Sequence, residues 1–139
     1  MRQGRNRGQA VVELAIVVPL ILLLLLGIVA FGRVLSHSIL VTNAAREGAR
    51  HGALGQPDEQ IVEAIKRETT SLDQSQLWWK ITPPDDHPDR VQGQKIKVEV
   101  WYNDRLPVPL LNILLSPRTL YGRAIMVIQK PTEQETGGG

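Results

Sequence analysis

The sequence predicts an α+β fold in which a long N-terminal helix precedes a short second helix and an antiparallel sheet of about three strands. Residues 14–32 form an uncharged apolar run, a helical pattern of apolar and small residues continues after Arg33, and residues 95–102 alternate between apolar and polar. An apolar period near 3.6 residues indicates a helix, and strict alternation indicates a half-buried strand. Both patterns occur in one chain, which defines the fold class.

The first helix is long enough to cross a membrane. Crossing the hydrocarbon takes about 20 apolar residues at about 1.5 Å each, and residues 14–32 carry no charge. A secretory signal peptide is the alternative, but its apolar region has only about 7–15 residues and precedes a small-x-small cleavage site. Arg33 and the residues after it form no such site. We therefore predict a retained transmembrane helix at residues 9–33.

Positive charge concentrates before the apolar run, at Arg2, Arg5 and Arg7. The positive-inside tendency then places the N-terminus in the cytoplasm and the chain after the helix outside. Three later arginines, at positions 33, 46 and 50, oppose this orientation. The balance favours a single-pass protein whose C-terminal domain, residues 34–131, is extracytoplasmic.

The predicted domain begins with a continuation of the first helix to about residue 53. No proline or strong turn signal occurs before Gly55-Gln56-Pro57. A helix over residues 9–53 would be roughly 65 Å long, about twice the hydrocarbon thickness, so its second half stands clear of the membrane. The proline and the acids after it suit the start of a second helix, which extends to about residue 70.

Strands are predicted at residues 77–81, 95–102 and 121–129. In the second of these, the even-numbered apolar residues from Ile96 to Tyr102 share one face, opposite lysine, glutamate and tryptophan side chains. The apolar segment at residues 106–117 contains three prolines and is predicted to be a packed or membrane-grazing loop. Residues 132–139 are predicted to be a disordered tail.

Composition excludes several classes of function. The formal net charge is +2, and the basic residues do not interleave with aromatic residues as they do in nucleic-acid-binding proteins. No cysteine is present, which excludes disulfides and thiolate metal sites. The sequence contains no phosphate-binding glycine loop and no paired base and nucleophile. We predict no enzymatic activity, no cofactor, no nucleic-acid partner and no small-molecule substrate.

The sequence also predicts no metal site. The loop at residues 85–89 contains three aspartates and a histidine, but their spacing fits no defined calcium loop, and the adjacent prolines already explain an exposed turn. His37 and His51 lie fourteen residues apart with no second metal-type ligand nearby, so we interpret each as a surface or packing histidine.

Two further features have more than one interpretation. Gly48 and Gly52 form a small-xxx-small pair, which permits close approach either of another subunit or of the protein's own sheet. The aromatic pairs at residues 78–79 and 101–102 suit membrane-interface anchors or core packing. Core packing is the preferred interpretation of the aromatic pairs.

Four features follow one another between residues 8 and 55. They are the string Gly8-Gln9-Ala10-Val11-Val12-Glu13-Leu14-Ala15, Pro19 within the apolar run, Phe31-Gly32-Arg33, and Asn43-Ala44-Ala45-Arg46-Glu47-Gly48-Ala49-Arg50. In this order and spacing they resemble the TadE family, minor pseudopilins of the tight-adherence (Flp-type) pilus machinery. The resemblance implies a pilin-like fold.

The resemblance also implies how the N-terminus is processed. Residues 1–8 would be a prepilin-type leader, cut after Gly8 by a prepilin peptidase on the cytoplasmic side. Gln9 would become the new N-terminus, and Glu13 the fifth residue of the mature chain. The carboxylate of Glu13 would pair with the free amine, within the chain or on a neighbouring subunit.

By the same resemblance, the chain would be a minor pseudopilin of the bacterial cytoplasmic membrane that assembles or primes a pilus. Its partners would be the prepilin peptidase, other pseudopilins, the major pilin and the platform membrane proteins. A major filament subunit is less favoured, because such subunits usually carry tyrosine after the glutamate and this chain has Leu14. The sequence is also compatible with a single-pass anchored extracytoplasmic binding domain, or with a membrane-bound enzyme that uses the loop at residues 85–89.

Overall fold

The computed structural model describes residues 3–105 and 118–129 and confirms the α+β class. The elements in chain order are helix α1 (Gln3–Ala53), helix α2 (Asp58–Glu68), a 3-10 turn (Gln74–Gln76) and strands β1 (Leu77–Thr82), β2 (Lys95–Asp104) and β3 (Arg118–Val127). The chain forms two compact units, the first ending at Leu35 and the second beginning at Ser36. The predicted loop at residues 106–117 and the predicted tail at residues 132–139 lie outside the described residues.

The first unit is the part of α1 that ends at Leu35, and most of its apolar side chains are exposed. The most apolar 18-residue stretch contains no buried residue, and α1 is long and apolar enough to cross a membrane. Pro19 lies inside the helix, as membrane helices tolerate. The helix begins at Gln3 rather than near Gln9, and no proline interrupts residues 3–8.

Helix α1 ends where the turn signal predicts. Gly55 has a φ of 73°, in the left-handed region that glycine occupies without steric penalty. Its amide donates to the carbonyl of Gly52 at 3.0 Å, and the amide of Gln56 donates to the carbonyl of His51 at 3.2 Å. This pair of hydrogen bonds is a Schellman motif, which satisfies carbonyl groups at the end of the helix.

Helix α2 ends at Glu68, about two residues before the predicted end. Thr69 adopts a non-helical conformation, and its hydroxyl donates to the carbonyl of Ile65 at 2.8 Å. Threonine side chains compete in this way for backbone groups and favour helix ends. The helix buries Ile61, Ala64 and Ile65 on one face.

The sheet is an antiparallel meander with the order β1-β2-β3. Trp79 pairs with Val100, which pairs in turn with Gly122, and this register extends along all three strands. Every second residue of β2 from Ile96 to Asp104 is buried, as the alternation predicts. Together with Leu77, Trp79 and Ile81 of β1, and Leu120, Gly122, Ala124 and Met126 of β3, these residues form the core face.

Small residues of α1 lie against this core face. Val41, Ala44, Ala45, Gly48, Ala49 and Gly52 recur every three or four residues and are buried. A methyl group added at Gly48 would stand 3.0 Å from Cγ1 of Ile65 and 3.1 Å from Cγ1 of Val98. Because these residues of α1 have small side chains or none, bulky, branched side chains from the sheet and α2 fill the core beside the helix.

The backbones of α1 and the sheet approach each other closely at Gly122 of β3. A methyl group added there would stand 2.5 Å from the carbonyl oxygen of Val41 and 3.0 Å from the Cα of Thr42. Both are backbone atoms, so they cannot move aside as a flexible side chain would. Only glycine fits this position of the strand.

We expect Gly122→Ala to destabilise the second unit by about 1–3 kcal/mol or more, because a core that cannot accommodate an added methyl group must shift its backbone. The measurement is urea unfolding of the detergent-solubilised full chain followed by tryptophan fluorescence. All three tryptophans lie in β1 and β2, so the signal reports on the sheet.

Gly27→Ala is the matched control, since a methyl group at Gly27 meets nothing within 4 Å. Its unfolding midpoint should equal that of the wild-type chain. An unchanged midpoint for Gly122→Ala would contradict the packing described at Val41.

Candidate functional site

The predicted processing residues lie on one exposed stretch of α1. Gly8, Gln9 and Glu13 are all helical and exposed, and a methyl group added at Gly8 would meet nothing within 4 Å. Residues four apart share a helix face, and helical side chains tilt towards the N-terminus. The carboxylate of Glu13 is therefore within reach of the backbone near Gln9.

The block at residues 43–50 divides into a buried and an exposed face. Its alanines and Gly48 belong to the core, and Asn43, Arg46 and Arg50 are exposed. Glu47 accepts from Arg50 at 3.1 Å and lies 3.3 Å from Nε2 of His51. The small residues of this block, like Gly52 near Ile96 and Ile61, contact the protein's own sheet and α2.

His37 lies beside a buried acid that the sequence analysis did not single out. Its Nδ1 is 3.2 Å from Oδ1 of Asp104, whose side chain is 1% exposed. The imidazole also meets the ring of Tyr102 edge-on, with 5.6 Å between ring centroids. Asp104 continues the buried even-numbered positions of β2 beyond Tyr102. An acidic residue on the apolar face of a strand is the sequence signal that could have indicated this buried carboxylate.

The loop at residues 85–89 is tied to α2 by Arg90, whose side chain is only 6% exposed. One guanidinium nitrogen contacts Asp58 and lies 2.8 Å from Oδ1 of Asp85, and another donates to the carbonyl of Gln56 at 2.6 Å. Asp85 also accepts from the amide of Asp58 at 2.5 Å. It thereby satisfies a free amide at the start of α2, where Pro57 offers no side-chain acceptor.

These contacts give the loop a structural role. Within residues 3–105 and 118–129, the structure contains no cluster of three or more histidine, aspartate or glutamate side chains that could hold a metal ion. His87 contacts Asp89 alone of the loop's acids, at 3.5 Å between Nδ1 and Oδ2.

Comparison with protein families gives one result. Residues 8–50 match the model of the TadE-like protein family. The match covers about a third of the 139-residue chain and agrees with the resemblance drawn from the sequence motifs. No curated protein sequence and no solved structure shows a significant match to the chain.

The TadE-like segment begins at Gly8 and ends at Arg50. It therefore contains the candidate processing residues, the apolar stretch of α1 and most of the small residues that pack on the sheet. The TadE-like family is a structural, pilus-associated family. The match associates the chain with tight-adherence pilus systems, and the apolar helix α1 is its candidate membrane anchor.

The outer face of the sheet lies beyond the TadE-like segment and carries an aromatic row across the three strands. Trp78 pairs with Trp101, and Trp101 pairs with Tyr121. The rings of Trp101 and Tyr121 are 5.6 Å apart, and Trp78 and Tyr121 are about half exposed. One residue of each aromatic pair, Trp79 or Tyr102, contributes to the core as expected. The other residue of each pair, Trp78 or Trp101, lies on the outer face of the sheet. The alternation of a strand forces this division.

Glu99 lies next to the aromatic row on the same face. Its carboxylate accepts from the hydroxyl of Tyr121 at 2.7 Å and lies 3.0 Å from Nζ of Lys97. The hydrogen bond from Tyr121, and secondarily the one from Lys97, holds the pKa of Glu99 below its ordinary value of 4.5. The same bond raises the pKa of Tyr121, because it stabilises the protonated phenol.

We expect Tyr121→Phe to raise the pKa of Glu99 towards 4.5, since it removes the largest cause of the lowered value. A carboxyl group with a lowered pKa stabilises the folded state above its unfolded pKa, and that stability is lost as the pH falls through the folded pKa. The stability difference between wild type and Tyr121→Phe should therefore be full at neutral pH and shrink as the pH falls below 4.5.

Carbon-13 carboxyl titration by NMR in detergent micelles, with urea unfolding at each pH, measures both effects. Lys95→Gln is the control, because Lys95 lies on the same face and is not among the groups that shift Glu99. A titration of Glu99 that is identical in wild type and Tyr121→Phe would contradict the assignment.

Proposed function

We propose that this chain is a minor pseudopilin of a tight-adherence pilus system. A prepilin peptidase cuts it between Gly8 and Gln9, and the processed chain stays in the bacterial cytoplasmic membrane through α1. It then acts with other pseudopilins, the major pilin and the platform proteins to assemble or prime the pilus. The observation that carries this proposal is the TadE-like match, which begins at Gly8 and includes the whole apolar stretch of α1.

The surroundings of Gly8 support cleavage at this point. Gly8 is exposed and has open space beside it, so a peptidase has access to its carbonyl group. A glycine in a helix is about 1 kcal/mol less favourable than alanine, and helix ends fray. Helix α1 therefore opens most readily near Gly4 and Gly8, and the bond after Gly8 can be presented to the peptidase in an extended form.

The position of Glu13 supports a role after cleavage. A new helix that begins at Gln9 has a free amine and unsatisfied amide groups in its first turn, which form the positive end of the helix dipole. Glu13 lies one turn further along and is the first acid of the chain. An unpaired charge in the hydrocarbon costs about 2.5–3.5 kcal/mol, so the pairing of Glu13 with an amine favours insertion and assembly.

The charge distribution supports an orientation with the N-terminus inside. Arg2, Arg5 and Arg7 precede the apolar stretch with no acid among them. Arg46 and Arg50 lie beyond it, but Arg50 is paired with Glu47. The second unit, with its sheet, then lies outside the cytoplasm, where it can meet other pilus components.

We expect the chain to begin at Gln9 in cells that contain an active cognate prepilin peptidase and at its uncut N-terminus in cells that lack it. Gly8→Val should reduce cleavage at least tenfold, because the branched side chain fills the space beside the bond that is cut. Intact-mass measurement and N-terminal sequencing of the membrane-extracted protein give the result directly.

Gly4→Val is the matched control, since it places the same side chain in the same leader helix and should leave cleavage unchanged. A chain that stays uncut beside an active peptidase would refute the proposal and would favour a plain membrane-anchored domain.

We expect Glu13→Gln to leave cleavage intact and to reduce the number of pili per cell at least tenfold. The substitution keeps the size of the side chain and removes the charge that pairs with the amine. Electron microscopy counts the pili, and intact mass confirms that the variant is processed.

Glu63→Gln on α2 is the control for loss of a carboxylate, because Glu63 is exposed and outside the TadE-like segment. Normal piliation in the Glu13→Gln strain would exclude the assigned role of Glu13.

A further inference from the structure

The outer face of the sheet is rich in both aromatic rings and positive charge. Besides the aromatic row, it carries Ile125 and Val127, which are 44% and 48% exposed. The described strands place Lys80, Lys95, Lys97 and Arg123 on this face, against the carboxylate of Glu99. Four cations and one anion leave the face with a net charge of +3, more than the formal charge of the whole chain.

The negative charge on this face is already neutralised within it. Glu99 contacts Lys97 and accepts the hydrogen bond of Tyr121. Among the described residues, Lys80 and Lys95 form no ion pair, and Arg123 lies next to Tyr121 at the edge of the row. The remaining charge is therefore available to an outside partner.

The aromatic row is held in one geometry. Trp101 packs against Tyr121, and the hydroxyl of Tyr121 is fixed by Glu99. Residues that are ordered before binding lose little entropy when a partner arrives. Tryptophan, tyrosine and arginine are also the residues that contribute most to protein–protein binding.

We infer that the outer sheet face is a docking surface for a different protein chain whose contacting surface is apolar at its centre and acidic around it. Charge complementarity selects this partner, because a +3 face attracts acidic side chains and repels an identical face of a second copy. A lipid surface would need no fixed arrangement of Tyr121 on Glu99, so a shaped protein surface fits the observations better.

The size of the face sets the scale of the contact. Three strands spaced by about 4.8 Å and up to ten residues long at about 3.3 Å each give an area on the order of 400 Å². That is about half of what one partner contributes to a standard interface. The face therefore supplies the centre of the contact, and neighbouring surface supplies the rest.

The test uses p-benzoyl-phenylalanine in place of Trp78, introduced into the full chain in cells that make the complete pilus system. We expect a photo-crosslink to a different protein, within or beside an acidic segment that peptide mass spectrometry identifies. The same photoreactive residue in place of Glu63 on α2 should give no crosslink to that protein. The inference rests on the proposed function only in the choice of cells in which the partner is sought.

Arg123→Glu should reduce the yield of this crosslink at least fivefold, and Arg67→Glu on α2 should leave it unchanged. Lys80→Glu is a second variant on the face, and resistance to limited proteolysis shows whether each variant is folded. A crosslink to lipid, a crosslink to a second copy, no crosslink, or a yield that neither folded charge variant lowers would overturn the inference.

The N-terminal mass of the same chain separates this inference from the proposed function. A crosslink formed by an uncut chain in the presence of active peptidase would support the docking surface and refute the pseudopilin assignment. A processed chain without the crosslink would support the pseudopilin assignment and refute the docking surface.

Discussion

The close approach of α1 to the sheet is the constraint on which the second unit depends. Between Val41 and Gly52, the buried residues of the helix are Val41, three alanines and two glycines. At Gly122 the strand reaches the helix backbone. Bulky side chains such as Ile96 and Val98 then fill the space that the helix leaves open, and each contributes about 1.5–3 kcal/mol on burial.

This constraint explains why the TadE-like segment does not end with the apolar stretch. The segment continues to Arg50 and so includes Ala44, Ala45, Gly48 and Ala49, which form the packing face for the sheet. One continuous helix thus provides both the candidate membrane anchor and the base of the second unit. The sheet itself lies outside the match, and the docking surface proposed here belongs to that part of the chain.

Patterns within single elements predicted much of the fold. The end of α1 before Gly55 and the two faces of β2 follow from local backbone preference and alternation, which the sequence displays directly. The contact at Gly122 and the ion pair between Arg90 and Asp58 could not be predicted, because each joins residues that are distant in the chain. The sequence left open whether Gly48 and Gly52 contact another subunit or the sheet, since small residues permit either. Processing at Gly8 and the role of Glu13 stay predictions.

The stripe of small residues on α1 also has a mechanical consequence. A pull along the axis of this helix would load its contact with the sheet in shear, so that the contacts from Val41 to Gly52 would have to give way together. A pull across the axis would instead peel the sheet away one contact at a time, which takes less force. Within the second unit, the contact between the helix and the sheet therefore resists force best along the axis of residues 41–52.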